Sequence, residues 1–203
     1  IVEWLTDPSL EIGQISPLQM DFLINGLFRY GYADYALRVI RQRYGRVKKD
    51  GFDTIPESWN MHGARTWDER GWKTMVSRSV ALMPGPVYAA GRWVLGIGSL
   101  APGCEQVEIA PRPGDLQWAE GSVPTSKGNV TVSWKRDSDM FRLECGLPDG
   151  VEAIVVLPFK SSDLKQIRVN GQDVAPDNTD ADGKPMLSVC RQSLIECSAA
   201  GQN

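Results

Sequence analysis

The chain has 203 residues, of which 42% are hydrophobic and 23% charged, the balance of an ordinary folded protein of one or two domains. Its 22 Lys+Arg against 25 Asp+Glu leave a net charge of −3. No basic excess exists to neutralise a phosphate backbone, so nucleic acid is not an expected partner. The longest apolar stretch, from Val80 to Leu100, is interrupted by Pro84, Pro86 and Arg92, which excludes it as a membrane span.

The chain opens on Ile1-Val2-Glu3, without a start methionine or a signal-peptide pattern, so either the true N-terminus was removed or this is a piece of something longer. Ser16-Pro17 then reads as a helix cap followed by the first helical residue. Met20, Leu23 and Leu27 recur at helical spacing, and Gly31 breaks the run. From Tyr32 a second helix places Ala33, Ala36, Leu37, Ile40 and Tyr44 on one stripe. Arg41, Arg43, Arg46, Lys48 and Lys49 gather at its end, a solvated cluster that complements the helix dipole, and Gly45 and Gly51 close the segment. Residues 52 to 78 lack periodicity and hold Trp59, Trp67 and Trp72 among polar residues; this is a long loop of the functional kind, since three tryptophans oppose disorder. Val87 to Ile97, entered through Pro84-Gly85-Pro86, reads as a further helix.

Past Pro102 the period changes to two. Val107/Ile109, Leu116/Trp118, Val130/Val132/Trp134, Phe141/Leu143/Cys145, Ala153/Val155/Leu157 and Ile167/Val169 alternate between turn signals such as Lys127-Gly128-Asn129, Pro148-Asp149-Gly150 and Asn170-Gly171. Leu187–Val189 and Leu194–Cys197 supply the last strands, after a polar, turn-rich loop at Pro176 to Lys184. The fold class is therefore α followed by β, with helices over 1–101 and an antiparallel β-sandwich over 102–203.

Cys104, Cys145, Cys190 and Cys197 show no C-x-x-C spacing and His62 is the only histidine, which disfavours a zinc site; buried hydrophobic cysteines are the simpler reading. Asn129-Val130-Thr131 fits the N-glycosylation pattern beside a turn, and points toward a secreted origin.

Longer motifs carry a family likeness. They are Tyr32-x-x-x-x-Ala-Leu-x-x-Ile40 with Gly45 and Gly51-Phe-Asp-Thr-Ile-Pro-Glu57-Ser-Trp59; Gly85-Pro86-Val-Tyr running through Trp93-Val-Leu-Gly-Ile97 to Pro102-Gly103; and Val107-Glu-Ile-Ala-Pro111, Gly114-Asp-Leu-x-Trp118-Ala, Gly121-x-Val-Pro-Thr125 and Gly128-x-Val-x-Val-Ser-Trp134. In this order they resemble the C-terminal part of bacterial and fungal α-L-rhamnosidases, glycoside hydrolase family 78. The likeness runs from about Pro17 to about Val174. It implies the last helices of an (α/α)6 six-hairpin barrel followed by the sandwich, with the rest of the barrel on the missing N-terminal part of the parent chain. Helices cut from such a ring would leave apolar faces in water, so the helical part is expected to be unstable alone.

The same resemblance implies hydrolysis of terminal α-L-rhamnosyl or related deoxy-sugar linkages with inversion, on a carbohydrate substrate; proton transfer of this kind requires no cofactor or metal, although members of the family can carry bound calcium. It puts Glu57 at the place of the general base, facing the hollow of the ring, and leaves Trp59, Trp67 and Trp72 as sugar-stacking candidates. An inverting glycosidase needs two carboxyl groups roughly 6.5–9.5 Å apart, one protonating the leaving oxygen and one deprotonating a water. The family's general acid falls upstream of this segment; Asp68-Glu69-Arg70-Gly71-Trp72 echoes it loosely, but in the wrong order. Val80 and Leu82 stand where the family carries His and Trp ahead of Gly-Pro, and neither can bond or stack on a sugar as those would. The alternatives are a non-catalytic carbohydrate-binding or barrel-bracing module, or another six-hairpin carbohydrate-active enzyme.

Overall fold

The computed structural model describes residues 16–49, 51, 53–57, 59, 85–138 and 140–199. The chain divides into two units, Ile1–Ala89 and Ala90–Asn203.

In the first unit, helix α1 (Pro17–Arg29) starts where the sequence predicts. Gln19 N donates to Ser16 Oγ at 3.3 Å while Ser16 N donates to Gln19 Oε1 at 2.9 Å, a reciprocal capping box that satisfies two orphan donors. Met20, Ile24, Leu27 and Phe28 form its buried stripe. Leu23, expected on that stripe, is only half-buried. Gly31, at φ 85°, ends the turn, and Tyr32 N reaches back to Leu27 O at 2.8 Å.

Helix α2 (Ala33–Lys49) buries Ala36, Leu37 and Val39, with Ala33, Ile40 and Tyr44 at the margin. It runs through Gly45 instead of stopping there. Gly45 has open space around its missing Cβ and no positive φ, so nothing forces a turn at that position. Helix α3 (Gly85–Ala89) is short and packs on α1.

The second unit opens on a π-helical turn, Ala90–Val94, closed by Leu95 N donating to Ala90 O at 2.8 Å. The helix expected up to Ile97 therefore ends early. Gly96 turns the chain at φ 85°, and Ile97 becomes the first residue of strand β1 (Ile97–Ser99).

Ten further strands follow: β2 (Gln106–Ile109), β3 (Trp118–Thr125), β4 (Gly128–Arg136), β5 (Met140–Gly146), β6 (Glu152–Val156), β7 (Leu164–Val169), β8 (Gln172–Asp173), β9 (Asn178–Thr179), β10 (Pro185–Cys190) and β11 (Ser193–Ala199). They make a sandwich of two sheets, ordered β1-β2-β6-β10-β9 and β3-β4-β5-β11-β7-β8. The expectation of a wholly antiparallel sandwich needs one correction, because β2 and β6 pair in parallel, Gln106 opposite Glu152. Three strands of the other sheet intervene between them in sequence, which gives the chain the long crossover that a parallel pair requires. The predicted loop at 176–184 contains β9, a two-residue edge strand beside β10.

Alternation fills the space between the sheets. Val130, Val132 and Trp134 of β4 and Phe141, Leu143 and Cys145 of β5 face inward, as do Val107, Ile109, Ala153, Val155, Leu187 and Val189 from the other sheet. Trp134 stacks on Phe141 with ring centroids 6.0 Å apart, and Phe141 meets Phe159 edge-on at 5.6 Å. Trp93 is flanked by the guanidinium groups of Arg92 at 4.5 Å and Arg112 at 5.1 Å, and Arg92 is fixed by Glu108 at 2.8 Å. Asn170 and Gly171 take positive φ values of 52° and 79° and join β7 to β8, the turn geometry that an Asn-Gly pair favours.

Trp134 also donates its Nε1–H to Val94 O at 2.8 Å, across the buried interior. Trp134→Phe keeps much of the ring area and leaves that carbonyl without its donor. The expected loss is about 1–3 kcal/mol, read as a lower urea midpoint at unchanged slope.

Cys145 and Cys197 are buried, Cys190 is exposed and Cys104 lies between; all four are free thiols. Burial pushes Cys145 up to about 11 and Cys197 up to about 12. Unfolded thiols ionise near about 8.5, so the folded state keeps protons that the unfolded state sheds. The stability contribution is thus complete below about pH 8.5 and declines as pH rises toward those values. In a labelling time course at pH 8, Cys190 is expected to react at once and Cys145 and Cys197 only at the rate of unfolding. Rapid modification of all four thiols would contradict the packing of β5 against β11.

Candidate functional site

Glu57 lies in the first unit, on the segment 53–57 that follows α2. Pro56 is buried, which anchors the segment, while the Glu57 side chain is exposed. The expected hollow around Glu57 is therefore not enclosed by the described residues of this chain. Trp59 is half-buried and meets Tyr44 of α2 edge-on, with centroids 5.3 Å apart and planes at 83°. Tyr44 is in turn pressed against Gly85 of α3, where a Cβ would come within 2.9 Å of its Oη.

The Tyr44 hydroxyl has no hydrogen-bond partner among the described residues, and burial, reinforced by the charge of Asp21, pushes it up to about 12. It is a neutral donor at any physiological pH. Glu57 and Trp59 thus share one short stretch, with Pro56 buried and Trp59 packed on Tyr44 of α2. Trp59 presents a half-buried aromatic ring and Glu57 an exposed carboxylate.

Trp67 and Trp72, the Asp68–Trp72 echo, and Val80 and Leu82 lie outside the described residues. Among the described residues no group of three or more His, Cys, Asp or Glu could hold a metal ion, and no helix is long and apolar enough to cross a membrane. Asn129 of the glycosylation pattern is exposed on β4, two residues after the Ser126-Lys127 turn.

Helices followed by this two-sheet sandwich recur in solved structures of α-L-rhamnosidases. The structure of an α-L-rhamnosidase from Dictyoglumus thermophilum superimposes over 91% of this chain and 21% of its own, with a TM-score of 0.73 at 19% identity. A GH78 family rhamnosidase of Bacillus sp. GL1 does so over 76% of this chain and 16% of its own, with a TM-score of 0.61 at 31% identity. In sequence, the α-L-rhamnosidase of Alteromonas sp. (strain LOR) is 32% identical over 117 residues, 54% of this chain and 12% of that protein.

Residues 96–172 match the family described as "Bacterial alpha-L-rhamnosidase C-terminal domain". Over these residues the chain is similar to the C-terminal domain of bacterial α-L-rhamnosidases, and over longer stretches to α-L-rhamnosidases as such. It spans only 12% to 21% of the length of these three relatives.

Proposed function

We propose that this chain is the C-terminal portion of an inverting α-L-rhamnosidase-like glycoside hydrolase, with Glu57 as its general base. The family match over 96–172 carries the reading, and the first unit supports it. Phe22, Tyr30 and Val87 of that unit are 70%, 77% and 75% exposed, an unusual display of large apolar side chains for three short helical segments. Such a display fits an arc of an (α/α)6 ring whose neighbours are supplied by the N-terminal part of a parent chain. On this reading the helices of the first unit are the last of the barrel, and the sandwich, which begins with Ile97–Ser99 and not at residue 102, follows them. Glu57, exposed here, then borders the hollow that the complete ring closes.

In the mechanism, Glu57 takes a proton from a water held on the face of the sugar opposite the glycosidic bond. A protonated carboxyl group from the parent chain gives its proton to the leaving oxygen. Trp59 offers the ring against which the deoxy-sugar stacks, with Trp67 and Trp72 as further stacking candidates. The substrate class is a terminal α-linked L-rhamnosyl or related deoxy-sugar glycoside, and the chemistry calls for no cofactor. The test is the anomer first released when the parent enzyme cleaves an aryl α-L-rhamnoside. Inversion gives the β-sugar as the initial product in a proton NMR time course. An initial α-sugar would remove the single-displacement mechanism and the base role with it.

Val80 and Leu82 favour a second reading, in which the chain braces a barrel or holds glycan without hydrolysing it. A parent protein that binds rhamnosides and releases no sugar would establish it. A third possibility, a six-hairpin lyase, would reveal itself by an unsaturated product absorbing in the near ultraviolet.

A further inference from the structure

The outward face of the six-stranded sheet carries one feature that ordinary solvated sheet faces lack. Trp118, at the start of edge strand β3, is 65% exposed although it is the largest side chain on that face. It stands in a row that crosses four strands, with Lys135 opposite it on β4, Arg142 next on β5 and Glu196 on β11. The parallel row two residues along runs Glu120, Ser133, Glu144 and Leu194. Together these rows floor an open depression of about 740 Å³.

Most of the charge in the depression is already engaged. Arg142 Nε bonds Glu196 Oε1 at 2.7 Å, and Gln192 Nε2 donates to Glu144 Oε1 at 2.7 Å. The two charged groups that flank the Trp118 ring are different. Among the described residues, neither the Lys135 ammonium nor the Glu120 carboxylate has a hydrogen-bond or ion-pair partner. Lys135 is the direct cross-strand neighbour of the ring, and Glu120 lies on the same face roughly 7 Å along the strand. An open aromatic plane, one available donor and one available acceptor thus converge on one spot.

We propose that this face is a binding site for a neutral glycan chain. The ring of Trp118 stacks on the C–H face of a sugar, Glu120 accepts from one hydroxyl and Lys135 donates to another. A hydroxyl both donates and accepts, so a neutral polyol uses a mixed pair of this kind fully. A polyanion would meet the carboxylates of Glu120, Glu144 and Glu196 against only two cations. A protein partner, a second copy included, would need an apolar interface core, and beyond Trp118 the face offers only the partly exposed Leu194. The site belongs wholly to the second unit and stands or falls independently of Glu57.

The experiment is native affinity electrophoresis of the 203-residue chain through gels cast with a neutral α-rhamnan, with arabinoxylan or with polygalacturonate, beside sedimentation of the free chain. The neutral polymers are expected to retard it, and polygalacturonate to do so less. Trp118→Ala should weaken retardation at least about tenfold, Trp118→Tyr much less, and the double variant Glu120→Gln/Lys135→Met severalfold, all with unchanged circular dichroism. The double variant decides the matter should Trp118→Ala fail to fold. No retardation by either neutral polymer, retardation that survives these substitutions, stronger retardation by polygalacturonate, or a Trp118-dependent dimer would each overturn the proposal. None of these readings needs hydrolysis, so its failure is distinguishable from that of the catalytic reading.

Discussion

In the intact parent enzyme, Glu57→Gln is expected to lower kcat on an aryl α-L-rhamnoside by about 10²-fold or more, with KM little changed. Glutamine keeps the volume and the hydrogen-bonding carbonyl of glutamate and loses only the capacity to take a proton. Proton removal from the attacking water belongs to the transition state and not to the bound ground state, so kcat should carry the loss. The pH profile of kcat/KM gives a second readout. Its acid limb, where the base must shed a proton, should vanish in the variant, because glutamine does not titrate. A Trp59→Phe control shortens the aromatic surface while preserving the carboxylate. It is expected to act mainly through KM, since stacking contributes to ground and transition states alike. Near-normal turnover by Glu57→Gln, with the acid limb intact, would take Glu57 out of the mechanism.

Much of the sandwich is legible in sequence because its inner strands obey one rule. In β4 and β5 every second residue is large and apolar, and those positions are buried. β3 escapes that rule. Its inward positions hold Ala119, Gly121, Val123 and Thr125, a weak apolar signal interrupted by glycine. Gly121 is small because Leu95 Cδ1 lies 2.9 Å from where a Cβ would sit. Pro124 is tolerated because β3 is an edge strand. Leu116 and Trp118 read as an alternating inward pair, yet strand pairing begins only at Trp118, and that ring points outward. Sequence gives no sign of this, since a tryptophan at period two looks the same on either face. The parallel pairing of β2 with β6 is equally hidden, because it depends on which edge a strand joins after the chain has crossed to the other sheet.

The candidate site was legible in a different manner. Motif order singled out Glu57 and Trp59, and the structure adds Tyr44, which the sequence presents only as one member of a helical stripe. It packs on Trp59, fifteen residues on, and against Gly85, forty-one residues on, contacts that no local period encodes.

Gly96 is the position in the sandwich where one methyl group should do the most damage. Its φ of 85° alone makes alanine unfavourable by about 1–2 kcal/mol. The surroundings add a second term. A Cβ would lie 2.3 Å from Ala110 C, 2.4 Å from Pro111 N and 2.6 Å from Ala110 N, all backbone atoms with no side-chain torsion to relieve the overlap. That closeness is built in, because Ala110 N donates to Gly96 O at 3.0 Å just beyond the Ile97–Ile109 pair that starts the β1–β2 ladder. Making room for the methyl group means withdrawing Ala110-Pro111, breaking that bond and disturbing the edge of the sheet. Gly96→Ala is therefore expected to cost about 3 kcal/mol or more. Gly150 supplies the control, with a φ of 75° and nothing within 4 Å of its missing Cβ. Gly150→Ala should show the backbone term alone, about 1–2 kcal/mol. The difference between the two urea midpoints isolates the close approach. Equal midpoints would mean that backbone conformation, and not the contact with Ala110, is what requires glycine at 96.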